Sequence, residues 1–175
     1  MTAAPNVNKF NTINLIGMPG AGKSTVGVIL AKQTGLRFVD TDLDIQVQEQ
    51  ATLQEIVDSK GYLQLRGIEH EVLMAVNLDR ALVSTGGSVV YSPDVMARLA
   101  AAGPVVYLKA DLATLEERIA GAPPRGIASD SNDGFAGIFA ERTPLYEQYA
   151  DITVDAAAGT ADQIAEAILT QLEQA

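Results

Sequence analysis

Residues 17–24 constrain this chain more than any other stretch. They read Gly17-Met18-Pro19-Gly20-Ala21-Gly22-Lys23-Ser24 and fit G-x-x-x-x-G-K-[ST], the phosphate-binding loop. The flanks carry as much information as the match. Thr12-Ile13-Asn14-Leu15-Ile16 is short and largely apolar, the pattern of a buried strand, and 25–32 reads as a helix. Strand, glycine loop and helix are what phosphate recognition needs. Glycines let the backbone close around phosphate oxygens where a Cβ would block the approach. The loop N–H groups and the helix N-terminus then face the anion. Gly17, Met18, Pro19, Gly20, Ala21, Gly22, Lys23, Ser24 and Thr25 are therefore expected to hold a nucleoside triphosphate. Lys23 is placed for its β- and γ-phosphates and Ser24 for Mg²⁺.

Composition narrows the rest. At 175 residues the chain predicts one domain, spanning 12–172, with a small lid and a disordered tail over 1–11. Twelve basic residues against 22 acidic ones give a net charge of −10, which argues against a nucleic-acid binder. An acidic protein that binds anionic ligands must concentrate its few arginines at the site. The absence of cysteine excludes disulfides, thiolate metal sites and cysteine nucleophiles. No apolar run reaches the length of a membrane span, and 1–11 lacks the apolar centre of a signal peptide. The expected location is cytoplasmic, with a small molecule as partner, no membrane, and a monomeric state.

Along the chain, 36–40 reads as a second strand running into Asp40-Thr41-Asp42. Aspartates at a strand end suit metal and substrate work, and equally a helix N-cap at Thr41 or Asp42. Helix follows over 44–59, with Leu43, Val47, Leu53, Ile56 and Val57 near helical spacing and a capping box, Thr52 with Glu55, restarting it after a break. Gly61 interrupts, and 63–78 is another helix with Leu65, Ile68, Val72, Leu73 and Val76 as its stripe. Taken alone, Arg66 on this helix reads as a surface arginine and His70 as a solvated one. A third strand, 80–85, enters Gly86-Gly87-Ser88, which fits a tight turn or close approach to a ligand equally well. Ser92 and Pro93 open a helix that Gly103 closes; 104–109 is the clearest strand, and 111–120 a further helix. The region 121–137 turns to loop composition around Arg125, as a lid would. Helix at 135–150, a short strand at 152–155 and a final helix from Thr160 through Leu172 complete an α/β alternation with five strands.

The combination of loop, Asp-x-Asp, helix-borne arginine, Gly-Gly turn, lid arginine and Arg142-Thr143-Pro144-Leu145-Tyr146 resembles the shikimate kinase family, in the nucleoside monophosphate kinase branch of P-loop proteins. The resemblance covers about 12–172. It implies a three-layer P-loop sandwich: a five-stranded parallel sheet in the order 2-3-1-4-5, helices on both faces, an acceptor-binding helical region over about 43–78 and a lid over about 121–137. It implies ATP-dependent phosphorylation of the 3-hydroxyl of shikimate, in aromatic amino-acid biosynthesis. Carried over by position, Lys23, Asp42 and Arg125 are the catalytic residues, and Ser24 and Asp40 attend the metal. Asp42, Arg66, Gly87 and Arg142 bind the acceptor, the two arginines taking its carboxylate; Arg118 packs on adenine and Arg125 touches the phosphates.

Three departures from the family pattern cluster around the acceptor and the lid. Ser88 replaces the third glycine of the turn. Gly61-Tyr62-Leu63-Gln64-Leu65-Arg66 stands where the family has Gly-Glu-x-x-Phe-Arg, and Arg125-Gly126-Ile127-Ala128 where it has Arg-Pro-Leu-Leu. They keep two alternatives in play: a kinase for another small hydroxy acid or polyol, and a non-catalytic nucleotide-binding relative. A GTPase switch is weaker, since no guanine-reading Asn/Thr-Lys-x-Asp sequence is present.

Overall fold

Each apolar run that reads as a strand forms one: β1 (Thr12–Ile16), β2 (Arg37–Asp40), β3 (Ala81–Ser84), β4 (Val105–Lys109) and β5 (Ile152–Asp155). They lie in one all-parallel sheet, in the order β2-β3-β1-β4-β5. The computed structural model describes residues 9–127 and 133–175; most of the expected tail, and 128–132 of the expected lid, lie outside them. β1, at the centre, is buried along its whole length, as a strand covered on both faces must be.

The register brings the functional segments to one edge. Ser84 pairs with Leu15 on one side and Asp40 on the other. The chain leaving β1, β2 and β3 therefore emerges at a common level, and there the glycine loop, the Asp-x-Asp and the Gly-Gly turn meet. In open parallel sheets this carboxyl edge is where ligands bind.

Among the described residues eight α-helices connect the strands or follow the last one: α1 (Lys23–Thr34), α2 (Thr41–Glu49), α3 (Leu53–Lys60), α4 (Tyr62–Ala75), α5 (Pro93–Ala102), α6 (Leu112–Ala120), α7 (Gly134–Tyr149) and α8 (Ala161–Gln174). α1 and α8 pack on each other and on the sheet, while α5 packs on β1 and α7 on β4. The main core is built from strand residues such as Leu15, Leu82 and Val106 with helix residues such as Leu30, Leu99 and Ile168. A second, smaller core of Ile45, Ile56, Leu65, Ile68 and Val72 joins α2, α3 and α4 into a unit beside the sheet.

The break expected within 44–59 falls where Gln50 takes a left-handed conformation (φ 52°), and Thr52 with Glu55 caps the second helix as a capping box. Other local expectations need correction. The cap of α2 is Asp40 rather than Thr41 or Asp42; its carboxylate accepts from the Asp42 and Leu43 N–H groups. Leu43 and Val47 are 57% and 70% exposed. They share one face of α2, but Thr41 and Ile45 supply the buried one. α4 stops at Ala75, short of 78, because Val76 is extended. A 3-10 turn at Val89–Tyr91 precedes α5, and Ser92 holds the N-cap position there without a side-chain cap bond.

Candidate active site

The glycine loop wraps around the start of α1. Gly22 is left-handed (φ 94°), a conformation that costs a side-chain-bearing residue about 1 kcal/mol or more. A Cβ at Gly17 would stand 2.7 Å from the Leu108 carbonyl oxygen, so only glycine fits there. Pro19, Gly20, Gly22, Lys23, Ser24 and Thr25 line a cleft of about 690 Å³, whereas Gly17, Met18 and Ala21 sit behind it. Lys23 is buried and folds back, its Nζ donating to the Gly17 and Met18 carbonyls at 2.7 and 3.0 Å. Burial lowers its pKa to about 8, against the pull of Asp42. The lysine thus carries its charge at neutral pH in a place where water does little to screen it.

Ser24 reaches across to β2. Its hydroxyl donates to Asp40 Oδ2 at 2.6 Å and lies 3.4 Å from the Ser84 hydroxyl. Asp40 uses its other oxygen to cap α2, at 3.0 Å from the Asp42 N–H and 3.3 Å from that of Leu43. One side chain therefore serves both readings of the Asp-x-Asp: it caps a helix and supplies an oxygen beside the loop serine. Among the described residues no three His, Cys, Asp or Glu side chains group as a metal site. The oxygens of Ser24 and Asp40 are nevertheless the hard donors that Mg²⁺ takes in ones and twos alongside water and phosphate.

Asp42 follows in the first turn of α2, half-buried and facing the cleft. Burial raises its pKa, and the nearby Lys23 holds it down. The Gly-Gly turn closes the opposite wall. A Cβ at Gly86 would collide with Glu69 and stand 2.9 Å from Asp42 Oδ1, and one at Gly87 would stand 2.9 Å from both Arg142 Nη1 and Pro19 Cδ. The turn is glycine because functional side chains crowd against its backbone. The Tyr146 hydroxyl donates to the Gly87 carbonyl and anchors the turn to α7; the Tyr146 ring stacks on Tyr107 with centroids 5.1 Å apart.

Arg142 is 1% exposed. Tyr91 organises the space between it and Arg66. The Arg66 guanidinium lies 4.0 Å from the centre of the Tyr91 ring and that of Arg142 5.3 Å from it, while the Tyr91 hydroxyl donates to Glu141. Tyr62 gives Arg66 a further aromatic neighbour at 5.3 Å. Arg66 is thus half-buried between rings, not a surface arginine. The cleft wall itself holds Arg142 but not Arg66, which is joined to it through Tyr91.

Arg118 lies against the outer side of the loop, donating to the Gly20 and Ala21 carbonyls at 3.2 and 3.3 Å and to that of Ala156 at 2.8 Å. Arg125 is exposed at the cleft mouth, and its charge is felt at both Lys23 and Asp42. Next to it, Gly126 seats directly on the backbone of Leu53 at the start of α3. His70 is half-buried and does not line the cleft.

Two residues of the site escape the sequence reading. Glu69 is buried in the cleft wall, its carboxyl pushed up to about 7 by burial and by the neighbouring Asp42. Its signal is a carboxylate within an apolar stripe, four residues from Leu65 and four from Leu73. Tyr91 carries no such mark, because its role depends on a 3-10 turn that periodicity does not show.

A P-loop with its lysine and serine in place, opening into a cleft with a carboxylate and a buried arginine beyond, defines a phosphotransferase of the P-loop kinase class. The family model for shikimate kinase matches residues 19–173. Shikimate kinase 2 of Enterobacter sp. (strain 638) is 35% identical over 168 residues, covering 93% of this chain and 96% of that protein. Shikimate kinase 2 of Yersinia pestis (strain Pestoides F) is 37% identical over 149 residues, 82% and 86% of the two chains. The chain belongs to the shikimate kinase family, and is an ATP-dependent phosphotransferase acting on a hydroxyl group of a small molecule. Shikimate kinase from Acinetobacter baumannii, solved in complex with shikimate, superposes with a TM-score of 0.84 at 27% identity over 95% of each chain. Deoxyadenosine kinase from M. mycoides, at 14% identity and a TM-score of 0.62, shares the fold.

Proposed function

We propose that this protein transfers the γ-phosphoryl group of ATP to the 3-hydroxyl of shikimate, in the cytoplasm and as a monomer. One observation carries the acceptor assignment: the Arg142 and Arg66 guanidinium groups both gather at the Tyr91 ring, and Arg142 lines the cleft that Asp42 also lines. Two planar guanidinium forks brought to one ring suit a carboxylate, and the carboxylate of Asp42 suits hydroxyls.

In this reading the loop N–H groups and Lys23 hold the phosphates, and Arg118 lies beside the adenine. Mg²⁺ would be held by Ser24 directly and by Asp40 through water, and it supplies neutralisation of charge on the transferring group. Asp42 orients the acceptor hydroxyl and takes its proton as the phosphorus bond forms. Lys23 and Arg125 offset the charge that develops on the phosphoryl oxygens. Arg66, Arg142 and the Gly87 N–H fix the other end of the acceptor, and the segment around Arg125 screens the site from water, which would otherwise compete as acceptor.

The departures at Ser88, Leu65 and Tyr62 support a second reading, transfer to a different small carboxylated polyol. ADP release measured against shikimate and a panel of hydroxy acids and sugars separates the two. Strong stimulation by shikimate is expected. No stimulation at millimolar shikimate, with another acid active, establishes the second reading. In the same assay Asp42→Asn is expected to lower kcat far more than it raises the acceptor KM.

A further inference from the structure

Glu69 stands in the acceptor wall, yet no step of the transfer described above uses it. It is 5% exposed. Its Oε2 accepts the Ser88 hydroxyl, while Oε1 has no hydrogen-bond partner among the described residues. Oε1 and Asp42 Oδ1 both crowd the point where Gly86 lacks a Cβ, and Glu69, Ser88 and Asp42 all line the cleft. A buried carboxylate oxygen without a donor is costly, and two adjacent carboxylates repel unless donors come between them. The charged and titratable groups facing Glu69 are Asp42 from α2, Lys23 from α1, and Arg142 and Tyr146 from α7.

We propose that Ser88 is a positioning residue: its hydroxyl pins Glu69 with one oxygen turned to the cleft, so that Glu69 and Asp42 together receive two adjacent hydroxyls of a carboxylated acceptor. The inference rests on the reading of the cleft as a site for a carboxylated polyol. Two acceptor-only groups side by side call for two donors, and a vicinal diol brings them on one rigid frame. A glycine at 88 would remove the hydroxyl that holds Glu69 Oε2. Ser88 also acts on the charge of its partner. Burial and Asp42 drive Glu69 towards its neutral form, and the Ser88 donation opposes them by favouring the ionised one. Protonated, Glu69 would spend its hydrogen on a neighbour and stop accepting from the ligand.

The test follows the Glu69 side-chain carboxyl by ¹³C NMR against pH, the resonance being assigned by its loss in Glu69→Gln. In Ser88→Ala, and equally in Ser88→Gly, the midpoint is expected to rise by about one unit, as loss of a hydrogen bond to the charged form requires. In Ser88→Thr, which keeps the hydroxyl, it should stay near the wild-type value. In turnover, the acceptor KM of Ser88→Ala is expected to rise about tenfold near pH 7 and return towards wild type at higher pH, with the KM for ATP unchanged. An unmoved midpoint, or a KM raised by the same factor at every pH, overturns the proposal. Wild-type protein that ignores shikimate would defeat the functional reading instead, and the ¹³C titration still decides the role of Ser88.

Discussion

The side chains of Arg142, Arg66 and Tyr91 form a small device whose parts come from α7, α4 and a 3-10 turn. Stacking on an aromatic face fixes the plane of a guanidinium and leaves its N–H edge for a ligand. Arg66→Ala removes one fork without opening the core. A charge-assisted hydrogen bond of about 1.5–3 kcal/mol predicts a loss of roughly tenfold to a hundredfold in the acceptor KM. The KM for ATP should hold, and steady-state kinetics with each substrate varied in turn checks both. Glu69 bears on stability as well. Its carboxyl titrates near 7 in the folded protein, against 4.5 ordinarily. The folded state therefore binds this proton more tightly than the unfolded one. The stability so gained is complete below about pH 4.5 and is lost as pH rises through about 7. Glu69→Gln cannot titrate. Between pH 8 and pH 5 the wild type should gain on it by on the order of 3 kcal/mol, read from paired denaturation curves. Parallel pH dependences in the two proteins would contradict this origin of the shift.

Among the elements, those whose signals are local were legible in the sequence. The glycine loop, the Thr52–Glu55 capping box and the five apolar strands each announce themselves within a few residues, and each forms where it was expected. The strand order came from resemblance, because nothing within one strand says which strand lies beside it. Spacing also hides direction. Leu43 and Val47 repeat at helical period, yet they face outward because Ile45 is the side of α2 that α4 covers. Asp40, Ser24 and Ser84 converge only once parallel pairing sets β2 and β3 level. For the same reason the importance of Glu69 appears only when the Gly86 turn is packed on it. At this scale the lid segment yields its own expectation. Gly126 lies so close to Leu53, and 2.7 Å from the Gln54 nitrogen when given a Cβ, that Gly126→Ala cannot seat against α3. ATP binding should survive, kcat should fall, and the ratio of free phosphate to phosphorylated product should rise as water enters. An unchanged ratio would show that this contact does not exclude water.

The whole molecule is acidic, with a net charge of −10, and its cleft gathers Lys23, Arg118, Arg125 and Arg142 while Arg66 packs behind its wall. Such a distribution repels polyanions in general and suits the two small anions of the proposed function, a triphosphate at the loop and the carboxylate of the acceptor. The sheet fixes the loop end, since β1 and β3 are held in register, while Arg142 and Arg66 are carried by α7 and α4. Among the described residues no helix is long and apolar enough to cross a membrane. The account stands on a claim about covalent chemistry, and ³¹P NMR of the protein with equimolar ATP, Mg²⁺ and shikimate tests it most directly. It requires ADP to appear together with one new phosphomonoester resonance, coupled to the proton on C3 of shikimate, in equal amounts. ADP accompanied only by inorganic phosphate, or ATP left intact, would contradict it.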